Sequence, residues 1–409
     1  MAIISSFRAL RPAPELASRV ASLPYDVLNS AEARVAAENN PYSFLHITKA
    51  EIDLPEGIDI HSERVYHKAA DNLFIFEDNK ILVQDQKPAY YIYELTMNGR
   101  KQTGLVCVSS VLDYENNIIR KHELTRPEKE LDRINHMRIT KAQTGNVFLA
   151  YKSNVTISRI ISSWKEAQSP VYDFIANDGI GHRVWVVHDP ATISEITLVF
   201  QKQVPFTYIA DGHHRAASAA KVKNTMGNQA GPDASWFLTT LFPSDELRIM
   251  DYNRVVKDLN GHTPETFIEA LGMNFKVEKT DAAFSPGSLH EFGMYLEGKW
   301  YRLVARDKSY STDPIGILDV SILQNNILAP LLGIQDPRTD SRVDFVGGIR
   351  GLKELEKRVD SGQVKVAFSL YPVSMDQLFD IADSGQIMPP KSTWFEPKLR
   401  DGLLTHLIR

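Results

Sequence analysis

The middle of the chain carries a carboxylate, two imidazoles and a guanidinium within five consecutive residues, Asp211-Gly212-His213-His214-Arg215. The run Phe206–Ile209 before them predicts a short strand, and the alanine-rich run Arg215–Lys223 predicts a helix. Gly212 allows the sharp turn between the two elements. Backbone N–H groups at a helix start, beside imidazoles and a guanidinium, favour a bound anion such as phosphate.

From this pattern we predict phosphate binding by Gly212, His214 and Arg215. The catalytic candidates in the same motif are Asp211, His213 and His214. The alternative is structural: the histidines would cap the helix and pair with Asp211, and short motifs carry a real risk of chance occurrence. If the motif binds phosphate, replacing His214 or Arg215 by alanine should remove phosphate affinity and leave the fold intact.

A second group of polar side chains precedes another predicted helix, in the order Arg120-Lys121-His122-Glu123-Leu124-Thr125-Arg126-Pro127-Glu128-Lys129. Thr125 and Glu128 have the spacing of a capping box, and Pro127 suits a first helical turn. Cations that converge on a helix start can clamp phosphate oxygens, and Glu123 could act as a base beside them. The phosphate-binding candidates here are His122, Thr125, Arg126 and Lys129. The alternative is a solvated helix with charge pairs on one face, such as Lys129 with Asp132.

Two loop segments add further candidates. Met388–Lys398 contains three prolines, so its backbone is rigid and irregular. Lys391 and Ser392 could present an ammonium and a hydroxyl to a phosphate, unless the segment is only a stiff strap packed by its aromatic side chains. Near the N-terminus, Tyr25 and Asp26 follow a proline in a predicted loop, where we expect them to bind substrate.

Local signals place these residues in a mixed fold. Asn98-Gly99 lies between two β-rich runs and is the strongest hairpin signal in the chain. The spacing of apolar residues predicts a helix over His61–Glu77, and Thr263 followed by Pro264 predicts the start of another. Strands and helices without a repeat of fixed period predict an α+β (mixed α/β) fold.

A chain of 409 residues is long for one core, so we expect several lobes. The predicted division is an N-terminal α+β lobe over residues 1–150, a segment with the central motif over 151–246, and a C-terminal α+β lobe over 247–409.

The composition excludes several classes of protein. The net charge of −5 argues against a surface made for nucleic acid. Cys107 is the single cysteine and lies in an apolar run, which indicates a buried, inert thiol. The N-terminal apolar run is too short for a signal peptide, and no run approaches the roughly 18 apolar residues of a membrane helix. We expect a cytoplasmic protein that binds neither nucleic acid nor membrane.

Taken together, these segments resemble a family of uncharacterised prokaryotic proteins known as domain of unknown function 1015. The resemblance covers nearly the whole chain. It rests on stretches that occur in the same order: Phe7-Arg8-Ala9-Leu10-Arg11-Pro12, Pro24-Tyr25-Asp26-Val27, Asn40-Pro41-Tyr42-Ser43-Phe44-Leu45-His46, Lys121-His122-Glu123-Leu124-Thr125-Arg126-Pro127, Tyr208–Arg215 and Met388–Lys398.

The motif Asp211–Arg215 is also similar to that of free serine kinases with a ParB-like nucleotide-binding domain. This resemblance implies a ParB-like core with an additional mixed-sheet lobe. It also implies phosphoryl transfer from ADP or ATP to free L-serine, giving O-phospho-L-serine. Positioned cations and N–H donors supply most of the catalysis in such a transfer. Asp211 or Glu123 would take the hydroxyl proton or hold Mg²⁺, which favours oxygen ligands. Only the motif transfers residue by residue, so Glu123 and Asp26 remain candidates for the catalytic carboxylate on physical grounds.

The sequence alone leaves other functions open. ParB-like domains also serve as nucleotide-gated regulators, and nucleotide binding without phosphoserine would indicate such a regulator. A metal hydrolase could be built on Asp211, His122, His213 and His214, although adjacent histidines on one turn rarely share a metal. DNA binding is disfavoured because no helix-turn-helix signal is present. The phosphoryl donor, the direction of the reaction and the assembly, a homodimer included, are not fixed by the sequence.

Overall fold

The computed structural model describes residues 1–226 and 231–409. Within these residues the chain forms two compact units, Met1–Leu247 with Pro397–Arg409, and Arg248–Glu396. The chain therefore leaves the first unit after Leu247 and comes back to it at Pro397. We refer to Pro397–Arg409 as the return segment.

The first unit contains both strands and helices. Its strands are β1 Ile4–Ser5, β2 Leu10–Pro12, β3 Leu82–Gln84, β4 Tyr90–Met97, β5 Arg100–Ser110, β6 Ile119–Arg120, β7 Ala142–Gln143, β8 Val147–Tyr151, β9 Tyr172–Ile175, β10 Gly181–Val187, β11 Thr207–Asp211, β12 Trp236–Pro243 and, in the return segment, β21 His406–Leu407. Its helices are α1 Ala17–Val20, α2 Ser30–Ala37, α3 Leu45–Thr48, α4 Glu63–Asp78, α5 Val111–Glu115, α6 Pro127–Thr140, α7 Val155–Ala167, α8 Pro190–Gln203 and α9 His213–Met226.

A mixed sheet forms the centre of the first unit. Its strands follow the order β6-β11-β8-β12-β5-β4-β10-β9, with β1 beside β5. β11 is parallel to β6 and β12 is parallel to β8, whereas β11 and β8 are antiparallel. Apolar side chains of α7, α8 and α9, among them Ile157, Phe200 and Ala216, pack with the strands in one buried cluster. This packing fixes β11 and the start of α9, which carry the central motif.

The β4–β5 hairpin confirms the strongest local signal in the sequence. Asn98 and Gly99 have φ angles of 51° and 78°, which is the left-handed backbone that a two-residue hairpin turn requires. Met97 and Arg100 are register partners on either side of the turn. The helix predicted over His61–Glu77 is also confirmed, as α4.

The strand, turn and helix predicted around the central motif are confirmed. β11 ends at Asp211, and α9 begins at His213, somewhat earlier than the alanine-rich run alone indicates. Gly212 has a φ of 96°, and a Cβ atom there would lie 3.3 Å from Cζ of Arg215 and 3.4 Å from Cα of Val147. Glycine is therefore favoured here by the left-handed backbone, and a larger residue would also crowd Arg215.

The capping box predicted for Thr125 and Glu128 is wrong. α6 begins at Pro127, as expected, but its N-cap is Arg126 and no side chain caps it. The Thr125 hydroxyl instead donates to the Glu130 carboxylate. The helix starts one residue later than a Thr125 cap demands, so that side chain lies outside the capping position.

The second unit has its own sheet, with strand order β15-β17-β16-β19-β14-β18, and a separate β13–β20 pair. Its strands are β13 Ile249–Met250, β14 Tyr252–Val256, β15 Phe275–Thr280, β16 Glu291–Leu296, β17 Lys299–Ala305, β18 Val343–Gly347, β19 Val366–Leu370 and β20 Trp394–Phe395. Its helices are α10 Pro264–Leu271, α11 Asp319–Leu323, α12 Leu352–Asp360 and α13 Met375–Asp383. The Thr263 hydroxyl accepts a hydrogen bond from the Thr266 N–H, which confirms the start predicted for α10.

The α+β prediction is confirmed, because each unit combines helices with a mixed or antiparallel sheet. The predicted segments 1–150 and 151–246 share one sheet, since β5 from the first pairs with β12 from the second. No helix in the two described ranges has both the length and the apolarity that a bilayer crossing requires.

Candidate functional site

A cavity of about 340 Å³ lies in the first unit beside the start of α9. Its lining includes Tyr25 and Asp26 from the loop before α2, Lys129 and Arg133 from α6, and His214 from α9. Small-molecule sites commonly enclose about 300–1,000 Å³. The structure thus brings the two predicted substrate residues to the same cavity as one histidine of the central motif.

His214 faces this cavity as a hydrogen-bonding group. Its Nε2 accepts a hydrogen bond of 3.0 Å from the backbone N–H of Arg126. Partial burial lowers the pKa of His214, and the nearby Lys129 ammonium lowers it further. The ring is therefore neutral near pH 7, and because Nε2 accepts, the neutral ring carries its proton on Nδ1. Nδ1 is the nitrogen that can donate to a ligand.

Arg215 is an internal bridge between two carboxylates. Only 8% of the residue is exposed, and its guanidinium donates to the Asn146 carbonyl. Its Nη2 lies 3.4 Å from Oδ2 of Asp26 and 3.6 Å from Oδ1 of Asp211. Burial opposes the charge, but Asp26 and Asp211 outweigh it and raise the pKa of Arg215 above its ordinary value. The guanidinium thus joins the cavity to the end of β11, and the phosphate-binding role foreseen for it stays a prediction.

The Asp211 carboxylate lies between two cations. Its Oδ2 is 3.2 Å from Nζ of Lys398, and its Oδ1 is the oxygen that faces Arg215. Burial alone would raise the pKa of Asp211, but Lys398 and Arg215 hold it below its usual range. Asp211 is therefore ionised and already balanced in charge.

This balance bears on the predicted Mg²⁺ ligand. Mg²⁺ takes several oxygen ligands in near-octahedral geometry. Within residues 1–226 and 231–409, no three His, Cys, Asp or Glu side chains gather as a metal-binding group. Each oxygen of Asp211 already faces a cation, so its surroundings do not fit the role of metal ligand.

A second group of side chains lies around His213. The buried rings of His122 and His213 meet edge to face at 4.5 Å and 87°. Nδ1 of His213 is 3.5 Å from Oε2 of Glu123, whose side chain is half exposed. His213 and His214 thus make separate contacts, the first with His122 and Glu123, the second with Arg126. The two rings therefore do not form, as ligands of one metal ion, the four-ligand site that a metal hydrolase would need.

The burial of His122 leads to a pH-dependent prediction. Burial lowers the pKa of His122 from 6.5 to about 4, against the opposing attraction of Asp211. Between these values the unfolded chain binds a proton that the folded protein does not, so the free energy of unfolding falls as the pH falls through this window. We expect His122→Gln to reduce that slope by up to about 1.4 kcal/mol per pH unit.

Urea unfolding at several pH values between 4 and 7 measures this slope. His67→Gln, on the exposed side of α4, is the matched control and should leave the slope unchanged. An unchanged slope in His122→Gln as well would mean that His122 binds protons equally in the folded and the unfolded protein.

The remaining predicted phosphate ligands divide between the two units. Lys129 lines the cavity, whereas His122 and Thr125 are not among its lining residues. In the second unit, Ser392 donates to the Pro389 carbonyl at 2.6 Å, and Lys391 lies in that unit too. These contacts agree with the alternative of a packed strap, and a phosphate role for Lys391 and Ser392 stays a prediction.

The sequence analysis did not assign to the site several charged residues that the structure brings to this region. They are Lys49, Glu51, Asp132 and Arg133 at the cavity, and Lys398 and Asp401 in the return segment. The guanidinium of Arg133 lies 3.8 Å from the centre of the Tyr25 ring and so helps to fix that ring. The sequence marks Lys398, because this residue ends the proline-rich stretch already singled out. No pattern in the sequence marks the others, because they lie in ordinary helix and loop segments.

Comparison with known proteins gives a family and a loose structural likeness. A family model described as "Protein of unknown function (DUF1015)" matches residues 4–321. No curated protein matches the sequence. Among solved structures, the fold is similar to a conserved hypothetical protein from Pyrococcus furiosus, with 14% identity, a TM-score of 0.36, and 70% of this chain and 91% of that one covered.

Two further structures show a similar degree of likeness. A free serine kinase in complex with AMP is 12% identical with a TM-score of 0.36, covering 70% of this chain and 89% of that one. SbnI with a C-terminal truncation, from Staphylococcus aureus, is 10% identical with a TM-score of 0.41, covering 74% of this chain and 87% of that one.

Proposed function

The chain belongs to the DUF1015 family, and we propose that it transfers a phosphoryl group between a nucleotide, ADP or ATP, and a small hydroxyl acceptor. Free L-serine is the first candidate acceptor, because the motif Asp211–Arg215 is similar to that of free serine kinases. The observation that carries the proposal is that His214 and Asp26 line one cavity, although they are far apart in the sequence.

The phosphate side of the cavity would be formed by His214 and Lys129. Phosphoryl transfer spreads negative charge over three oxygens, so fixed N–H donors and cations stabilise its transition state. His214 can donate from Nδ1, and Lys129 adds a positive charge at the cavity wall. The first turn of α9, which contains His214, adds backbone N–H groups and the positive end of a helix dipole.

The acceptor side would be formed by Asp26 and a nearby ion pair. The Asp26 carboxylate is held by Arg215 at 3.4 Å and can accept the proton of a hydroxyl group. Lys49 and Glu51, 3.1 Å apart, line the same cavity and offer partners for the carboxylate and the ammonium of an amino acid. This pairing favours a zwitterionic acceptor over a sugar or a simple alcohol.

The proposed step balances without a further reactant. The acceptor oxygen forms a bond to the terminal phosphorus, and the bond from that phosphorus to the bridging oxygen breaks. The hydroxyl proton moves to Asp26 and then to solvent. The products are O-phospho-L-serine and AMP when ADP is the donor, or ADP when ATP is the donor.

Incubation of the purified protein with L-serine and ADP or ATP tests the proposal. Phosphoserine and the shortened nucleotide should appear in equal amounts by mass spectrometry. L-alanine, which lacks the hydroxyl, is the matched control acceptor and should give no product. Nucleotide binding without phosphoserine would contradict the kinase proposal and support a nucleotide-binding regulator.

His214→Ala should weaken nucleotide binding and leave the fold intact. A hydrogen bond to a charged group contributes about 1.5–3 kcal/mol, so we expect a loss of about 10- to 160-fold in affinity. Titration calorimetry with ADP measures the loss, and His67→Ala, an exposed histidine on α4, is the control. An unchanged dissociation constant for ADP would place the phosphates away from His214.

A further inference from the structure

Close to Lys398, the return segment is bound to the rest of the first unit. Ser22 and Asp401 exchange backbone hydrogen bonds of 3.1 and 3.0 Å. Arg400 is buried, and its Nε lies 3.3 Å from Nε2 of the buried His182. The backbone that carries Lys398 is therefore held in place independently of the contacts that the lysine side chain makes.

Lys398 stands at one end of a row of alternating charges whose other end is the cavity. Its Nζ is 3.2 Å from Oδ2 of Asp211. Oδ1 of Asp211 is 3.6 Å from Nη2 of Arg215, and the same Nη2 is 3.4 Å from Oδ2 of Asp26. From Asp26 to Lys398 the charges thus run negative, positive, negative, positive.

One nitrogen of Arg215 is shared by two carboxylates, so each carboxylate competes for it. Lys398 balances part of the charge on Asp211 and leaves the guanidinium available to Asp26. Without Lys398, Asp211 would attract the guanidinium more strongly and draw it away from Asp26. Only 15% of the Lys398 side chain is exposed, so solvent screens this pair incompletely.

We propose that Lys398 is a positioning residue for Asp26 and acts through Asp211 and Arg215. The inference rests on the proposed function, because the task of Asp26 is to accept the proton of the acceptor hydroxyl. Lys398 itself is not among the residues that line the cavity. Its effect should therefore fall on turnover and not on the binding of either substrate.

Lys398→Met and Lys398→Arg test the role of the charge. We expect Lys398→Met to lower kcat roughly 2- to 30-fold, the range found for residues that act without touching a ligand. The dissociation constant for ADP and the KM for serine should change by less than about twofold, and Lys398→Arg should restore most of kcat. A lysine with a merely structural role would not split kcat from KM in this way.

Asp211→Asn removes the next charge in the row. The competing carboxylate is then gone, so the double variant of Asp211→Asn with Lys398→Met should recover most of the kcat that Lys398→Met alone loses. Lys202→Met, an exposed lysine on α8, is the matched control and should leave kcat unchanged.

The outcomes separate this inference from the proposed function. Equal kcat in the wild type and in Lys398→Met overturns the inference alone. A wild-type protein that makes no phosphoserine overturns both. If Lys398→Met does not fold, Lys398→Gln takes its place in the single and the double variant. A kcat that is kept in Lys398→Arg, lost when the charge is removed, and recovered when Asp211→Asn is added supports the inference, and any other pattern overturns it.

Discussion

Replacing Asp26 by asparagine should lower the kcat of the proposed serine phosphorylation about 100- to 10,000-fold, the usual contribution of a general base. The asparagine amide has nearly the shape of the carboxylate, but it cannot take up the hydroxyl proton near pH 7. Nucleotide affinity should stay within about threefold of the wild-type value, because His214 and Lys129 are untouched.

Product formation by mass spectrometry and ADP titration by calorimetry measure the two effects separately. Asp71→Asn, an exposed carboxylate on α4, is the matched control and should behave as the wild type. If Asp26→Asn retained more than about a tenth of wild-type turnover, Asp26 would not be the base. Glu123 would then be the next carboxylate to test.

Arg215→Ala should destabilise the first unit, and it should lower turnover because Asp26 loses the cation that holds it. Removing one partner of a buried ion pair costs about 3–5 kcal/mol, because the other charge is left unpaired. Asp26 and Asp211 keep about a third of their side chains exposed, so we expect a value near the lower end, about 3 kcal/mol. This differs from the sequence-based expectation of an intact fold, because the sequence does not show that Arg215 is buried.

Urea unfolding measures the change in the free energy of unfolding. Arg159→Ala is the control, since Arg159 and its partner Glu195 are 71% and 51% exposed, and it should cost less than about 1 kcal/mol. Arg215→Lys keeps the charge but loses the forked geometry, so its stability should lie between wild type and Arg215→Ala. A change below about 1 kcal/mol in Arg215→Ala would mean that the guanidinium is not a structural bridge.

Much of the local structure could be predicted from the sequence. The hairpin at Asn98-Gly99 depends on the left-handed backbone of two adjacent residues, so nearby residues contain its whole signal. The turn at Gly212 could be predicted for the same reason, because it too depends on the left-handed backbone of a local residue. The N-cap residue of α6 could not be predicted in this way. Thr125 and Arg126 are adjacent, so the sequence does not show which of them directly precedes the helix, and in the structure it is Arg126.

The candidate site could be predicted only in part, because its contacts join distant positions. The motif Asp211–Arg215 was found as one group, yet His214 lines the cavity while His213 and Arg215 are buried. That separation depends on partners such as Asp26, which lies 189 positions before Arg215. A side chain's surroundings are set by packing between remote segments, and residue types at short spacing do not contain that information.

The position of the return segment has a consequence for biosynthesis. A ribosome makes Pro397 about 150 residues after Leu247, and elongation at about 5–20 residues per second takes roughly 8–30 s over that stretch. During this delay the nascent first unit lacks the return segment, which provides partners for Ser22, His182 and Asp211 in the finished protein. Asp211 and Arg215 would therefore reach their final arrangement, with Lys398 beside Asp211, only late in translation.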